Sequence, residues 1–154
     1  LAVPLFQKID LLKKYFIPII GGGIIGAITA IVSVVIIGKL LGIDHNLLLS
    51  FMPKSITTPI GIEVSRMLGG IPSITVFAII ITGITGNVAA PFIYSVFRVK
   101  HPVAKGLGLG ISSHAVGTSR AIEMGEIEGA MSALSIVIAG ILTLALAPIV
   151  KMVL

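Results

Sequence analysis

The chain has 154 residues, 56% hydrophobic and 11% charged, with a formal net charge of +5 and a mean hydropathy of +1.16. A soluble domain of this size cannot shield so apolar a composition, so water is not its main solvent, nor can it bury three apolar helices on every side. The absence of cysteine removes disulfides, thiolate nucleophiles and cysteine-based metal sites, and the scattered basic residues, without aromatic interleaving, point to lipid head groups and topology rather than nucleic acid.

The opening Leu1 to Phe6 has no basic region or small-residue cleavage site, so it does not read as a signal peptide. It reads as the tail of an earlier hydrophobic helix, and further membrane helices are expected upstream of residues 1–154, which are taken as a single membrane domain. A polar stretch with Lys8, Lys13 and Lys14 follows. Three segments then lack Asp, Glu, Lys and Arg: Tyr15 to Gly38, Ile71 to Phe97 and Gly129 to Val150. Each is long enough to cross a hydrocarbon core of roughly 30 Å as a helix. The first carries Gly21, Gly22 and Gly23, which allow a neighbouring backbone close approach.

Between the first two spans, Asp44 offers an N-cap for a short helix from His45 to Met52 that Pro53 stops. Lys54, Ser55, Ile56, Thr57, Thr58 and Pro59 form a hydroxyl-rich interruption, and a second short helix reaches Gly69. The pattern recurs after a basic loop with Arg98, Lys100, His101 and Lys105: Gly106 to Ile111 is apolar, Ser112 to Ser119 is polar, and a helix restarts at Arg120. At an offset of 60, Thr58 meets Thr118 and Glu63 meets Glu123; at 57, Gly83 meets Gly140 and Pro91 meets Pro148. These pairs suggest repeats over about 44–98 and 103–154. Full crossings by the interrupted segments would put the two basic clusters on opposite faces, whereas re-entrant hairpins would put both on one side and make the repeats inverted. The expected fold is therefore all-α, a polytopic transmembrane helical bundle with two interrupted, re-entrant segments in an inverted repeat.

Polar groups gathered at broken helices in so apolar a chain are the layout on which transporters build binding sites. The first break supplies Lys54, Ser55, Thr57 and Thr58; the second supplies Ser112, Ser113, His114, Gly117, Thr118 and Arg120. Most are donors, which suits a small carboxylate, with Arg120 or Lys54 as its counter-charge. Glu63 with Arg66, and Arg120 with Glu123, are spaced for ion pairs on one helix face; Glu63 and Glu123 are equally open to proton coupling, and so is His114. No phosphate loop, nucleotide fingerprint or hydrolase elbow occurs, so neither catalysis nor a cofactor or metal is expected.

The segments Pro53 to Ile60, Gly69 to Ser73 and Ser113 to Ala121 resemble, in order, the motifs of the LrgB/CidB family, and the likeness covers essentially the whole chain. Ser119 departs from the Ala of many members. The resemblance implies a bacterial cytoplasmic-membrane protein of one of two kinds. One is an antiholin- or holin-like regulator of murein hydrolase export and cell lysis, working with a small LrgA/CidA-type partner; such a protein would act as a homo-oligomer, which close packing at Gly21 to Gly26 would serve. The other is a transporter of small 2-hydroxy- or 2-oxo-acids such as glycolate, glycerate or pyruvate, as in the related plastid glycolate/glycerate translocator.

Overall fold

A computed structural model of the chain describes residues 9–154, and the expectations for Leu1 to Phe6 and Lys8 lie outside the described residues. Every regular element among them is helical: α1 (Ile9–Lys14), α2 (Phe16–Leu40), α3 (His45–Phe51), α4 (Thr58–Leu68), α5 (Pro72–Val96), α6 (Pro102–Met124) and α7 (Glu126–Lys151). Three of these, α2, α5 and α7, have 25, 25 and 26 residues and are apolar enough to cross a membrane. At a rise of about 1.5 Å per residue each exceeds the hydrocarbon thickness. Their outward faces carry apolar side chains such as Ile17, Ile25 and Phe92, exposed by 82%, 68% and 72%, as helices bathed in lipid require.

Local chemistry sets the boundaries. Asp44 caps α3 by accepting from the Asn46 N–H at 2.9 Å, and Pro72 and Pro102 open α5 and α6 where a missing N–H costs nothing. α7 begins at Glu126, three residues before the charge-free run, because Glu126 and Glu128 in its first turn complement the helix dipole. The second interruption is narrower than the expected polar segment. Both Ser112 to Ser113 and Ala115 to Met124 are helical, and the break is His114 alone, at φ 44° and ψ −136°.

Both interrupted segments double back. α3 starts beside the end of α2, where Gly38 packs on Leu48, and α4 ends with Gly69 beside Lys151 and Gly70 against Ser50. α4 runs antiparallel to α5, since Gly61 packs on Ile79 while Ser65 bonds Thr75 further back along α5. In α6 the first arm runs alongside α7, with Gly106 on Glu128 and Gly110 on Ser132. The second arm runs back down it, with Thr118 bonded to Ser132 and Ile122 against Gly129. Lys105 and Met124, at opposite ends of α6, consequently line one depression.

The core is divided accordingly. Leu49, Met52, Ile56, Val64 and Leu68 of the first reversal pack with Ile31 of α2 and Ala139 and Ala147 of α7. Val103, Leu107 and Ile111 of the second pack with Ile19 of α2 and Ala130 and Met131 of α7.

Candidate functional site

The first break lies between Pro53, which cannot continue α3, and Thr57, the extended residue that opens α4 with Pro59 in its first turn. It presents Lys54, whose Nζ donates to the Ser55 hydroxyl at 3.1 Å. The second break turns on His114, whose positive φ is unusual for a non-glycine residue and is held by its surroundings. The His114 Nε2 donates to the Ile79 carbonyl at 2.8 Å. The Thr118 hydroxyl donates to the His114 carbonyl at 2.9 Å and lies 2.7 Å from Ser132 Oγ. Asn87 Nδ2 on α5 donates to the Val116 carbonyl at 2.8 Å, satisfying backbone freed by the reversal.

A cavity of about 750 Å³ lies between the two breaks and α2. Lys54 and Ser55 line it from the first break, Ser112 from the second, and Thr29 from the middle of α2. Tyr15 and His101 line one end, their rings edge to face at 5.5 Å. Among the described residues no carboxylate lines the cavity, and Lys54 is the one lysine or arginine that does. A second cavity of about 200 Å³ continues along α2 past Ser33 and Gly38 and shares only Lys54 with the first.

The remaining candidates lie elsewhere. Ser113, His114 and Thr118 are buried at 1%, 4% and 2% exposure and, with buried Gly117 packed on Leu109 and Ser113, they hold the reversal together. Thr57 and Thr58 are half-buried at the start of α4 and do not line the cavity. Arg120 donates to Glu123 at 2.8 Å and to the Asn87 carbonyl at 3.3 Å, and Arg66 pairs with Glu63 at 2.6 Å on an exposed face. Three cavity residues, Tyr15, Thr29 and His101, escape a reading centred on the breaks. A signal for one exists: Thr29 and Ser33 are the only hydroxyl residues within α2, and at four apart they share a face.

Three apolar helices and the two doubled-back segments packed between them define a polytopic helical integral membrane protein. The family model described as the LrgB-like family matches residues 1–153, and the chain belongs to that family. It is 40% identical over 147 residues to "Antiholin-like protein LrgB" of Bacillus mycoides (strain KBAB4), covering 96% of this chain and 64% of the relative. It is 39% identical over 147 residues to the protein of the same name from Bacillus cereus (strain B4264), with the same coverage. The chain thus spans about 64% of the length of these relatives. No solved structure matches it.

Proposed function

We propose that this chain is the membrane core of a secondary transporter for small 2-hydroxy- or 2-oxo-monocarboxylates of the glycolate, glycerate or pyruvate type, in the cytoplasmic membrane. The observation that carries this reading is the position of Lys54, at the junction of two cavities that together follow one face of α2 from Tyr15 to Gly38. A carboxylate entering either cavity reaches Lys54 in a low-dielectric wall, and in the larger one the Ser55 and Ser112 hydroxyls can donate to its other oxygens.

The proposed mechanism treats both reversals as re-entrant hairpins and the two halves as an inverted repeat that rocks around the junction. One side of their hydroxyl locks supports that equivalence. Thr75 on α5 bonds Ser65 of the first reversal, and Ser132 on α7 bonds Thr118 of the second; Thr75 and Ser132 are 57 residues apart, matching the offset of Gly83 and Gly140, whereas Ser65 and Thr118 do not occupy equivalent repeat positions.

The relatives' printed name, antiholin-like protein, favours a second reading more directly than it favours transport. In that reading the chain is part of a regulator of murein hydrolase export and lysis, acting with a small LrgA/CidA-type partner or further copies of itself. Gly21, where an added Cβ would meet nothing within 4 Å, leaves part of α2 open to such an association. Uptake of labelled glycolate and pyruvate into liposomes containing the full-length protein separates the two. Transport predicts saturable uptake that falls roughly 30- to 100-fold in Lys54→Ala, from loss of one charged hydrogen bond. It predicts a smaller loss in Arg120→Ala, because that guanidinium is bonded to Glu123 and Asn87. Release of unrelated dyes, with no Lys54 dependence, would support the antiholin-like reading instead.

A further inference from the structure

We infer that the loop after α5 and the first turn of α6 form a binding site for the headgroup of an anionic phospholipid, built from Arg98, Lys100 and Lys105. These three cations line a depression of about 420 Å³ together with Tyr94, Ser95 and Met124, and among the described residues no carboxylate lines it. The Tyr94 hydroxyl donates to the Lys105 carbonyl at 2.7 Å, fixing the start of α6 against the end of α5.

The backbone at Arg98 is shaped for this position. α5 ends with the Val99 N–H on the Tyr94 carbonyl at 2.9 Å and the Arg98 N–H on the Ser95 carbonyl at 3.2 Å, an ending whose first residue past the cap is left-handed and usually glycine. Two other helices here follow that habit, with Gly42 at φ 67° after α2 and Gly69 at φ 83° after α4. After α5 the residue is Arg98, at φ 53°. A side chain is thus held in a conformation that disfavours one, and it places a guanidinium at the negative end of the helix dipole beside two lysines.

The surroundings select a lipid over a free anion. Phe92 in α5 and Phe97 at its C-cap are exposed by 72% and 73% and are next in the chain to Pro91 and Arg98 of the lining, so the cationic depression lies beside apolar surface that would face acyl chains. Basic pockets at the ends of membrane helices on the leaflet rich in anionic lipid hold headgroups by this combination. Tyr15 contacts His101 of the same loop, which brings Lys13 and Lys14 of α1 to this end of the bundle and adds to its positive potential.

The test is binding of phosphatidylglycerol, against phosphatidylcholine, to detergent-solubilised full-length protein, measured by native mass spectrometry. Wild type should retain phosphatidylglycerol selectively. The variant Arg98→Gln/Lys100→Gln/Lys105→Gln should bind it roughly 100-fold more weakly, at about five-fold per cation. Lys39→Gln/Arg66→Gln/Lys151→Gln, with the same charge change at the opposite end of the bundle, should bind within a few-fold of wild type. Arg98→Gly, which relieves the backbone and so cannot fail by misfolding at this position, should lose about five-fold. Equal binding of both lipids, equal losses in the two triple variants, or displacement of the lipid by millimolar inorganic phosphate would each overturn the proposal, the last by making the site one for a free anion.

Discussion

Gly110, like Gly106, is a position where the packing of α6 on α7 leaves no room for a side chain. A Cβ added there would fall inside contact distance of the Ser132 carbonyl oxygen and the Ser135 hydroxyl. The serine can rotate, but the carbonyl belongs to the helix backbone, so the first arm of α6 must move away from α7. Overpacking of this kind costs about 3 kcal/mol at the upper end of its range, and replacing a helical glycine with alanine returns up to ~1 kcal/mol, so Gly110→Ala should be destabilised by roughly 2 kcal/mol. At about 2–4 °C per kcal/mol for a chain of this size, the thermal midpoint should fall by roughly 4–8 °C. The same substitution at Gly21, which has no atom within 4 Å, should leave the midpoint unchanged or raise it. Loss of helical circular dichroism on heating in detergent measures both, and suits a protein without tryptophan. A Gly110→Ala midpoint at or above that of wild type would refute the close approach of the two helices and the doubling back that depends on it.

Thr118→Val removes the hydroxyl shared between the His114 carbonyl and Ser132, and should cost about 1–3 kcal/mol by leaving buried partners unsatisfied. Thr118→Val/Ser132→Ala should recover part of that loss in the same melting assay. Glu63→Gln breaks an ion pair whose side chains are 67% and 62% exposed; it should change stability by less than about 1 kcal/mol and leave solute uptake intact. A large loss of uptake in Glu63→Gln would instead assign that carboxylate to proton coupling.

The long helices were legible because lipid tolerates so few charges that a charge-free run of sufficient length has almost one reading. That criterion misplaced the start of α7, since it discards Glu126 and Glu128, which the helix N-terminus favours. The first break was marked by Pro53 and Pro59, whose covalent geometry stops and starts helices locally. The second carries no such mark. Its position at His114 depends on Ile79, Ser132 and Asn87, residues brought there only by the fold. For the same reason the sequence placed Ser112, Ser113, His114 and Thr118 together in one polar segment, while the helical rotation within each arm sends Ser112 to the cavity and buries the other three.

Residues 1–154 contain no cysteine, so once any cysteine elsewhere in the full-length protein is replaced, single thiols can report on the cavity without background. The most direct measurement is modification of Ser55→Cys and of Ser112→Cys, each in the full-length protein, by a small water-soluble thiol reagent with and without glycolate or pyruvate. Both thiols should react, and saturating solute should slow both reactions, since one anion held at Lys54 occupies the space in front of each. A thiol that never reacts, or two that react at rates indifferent to solute, would contradict a shared binding cavity between the breaks.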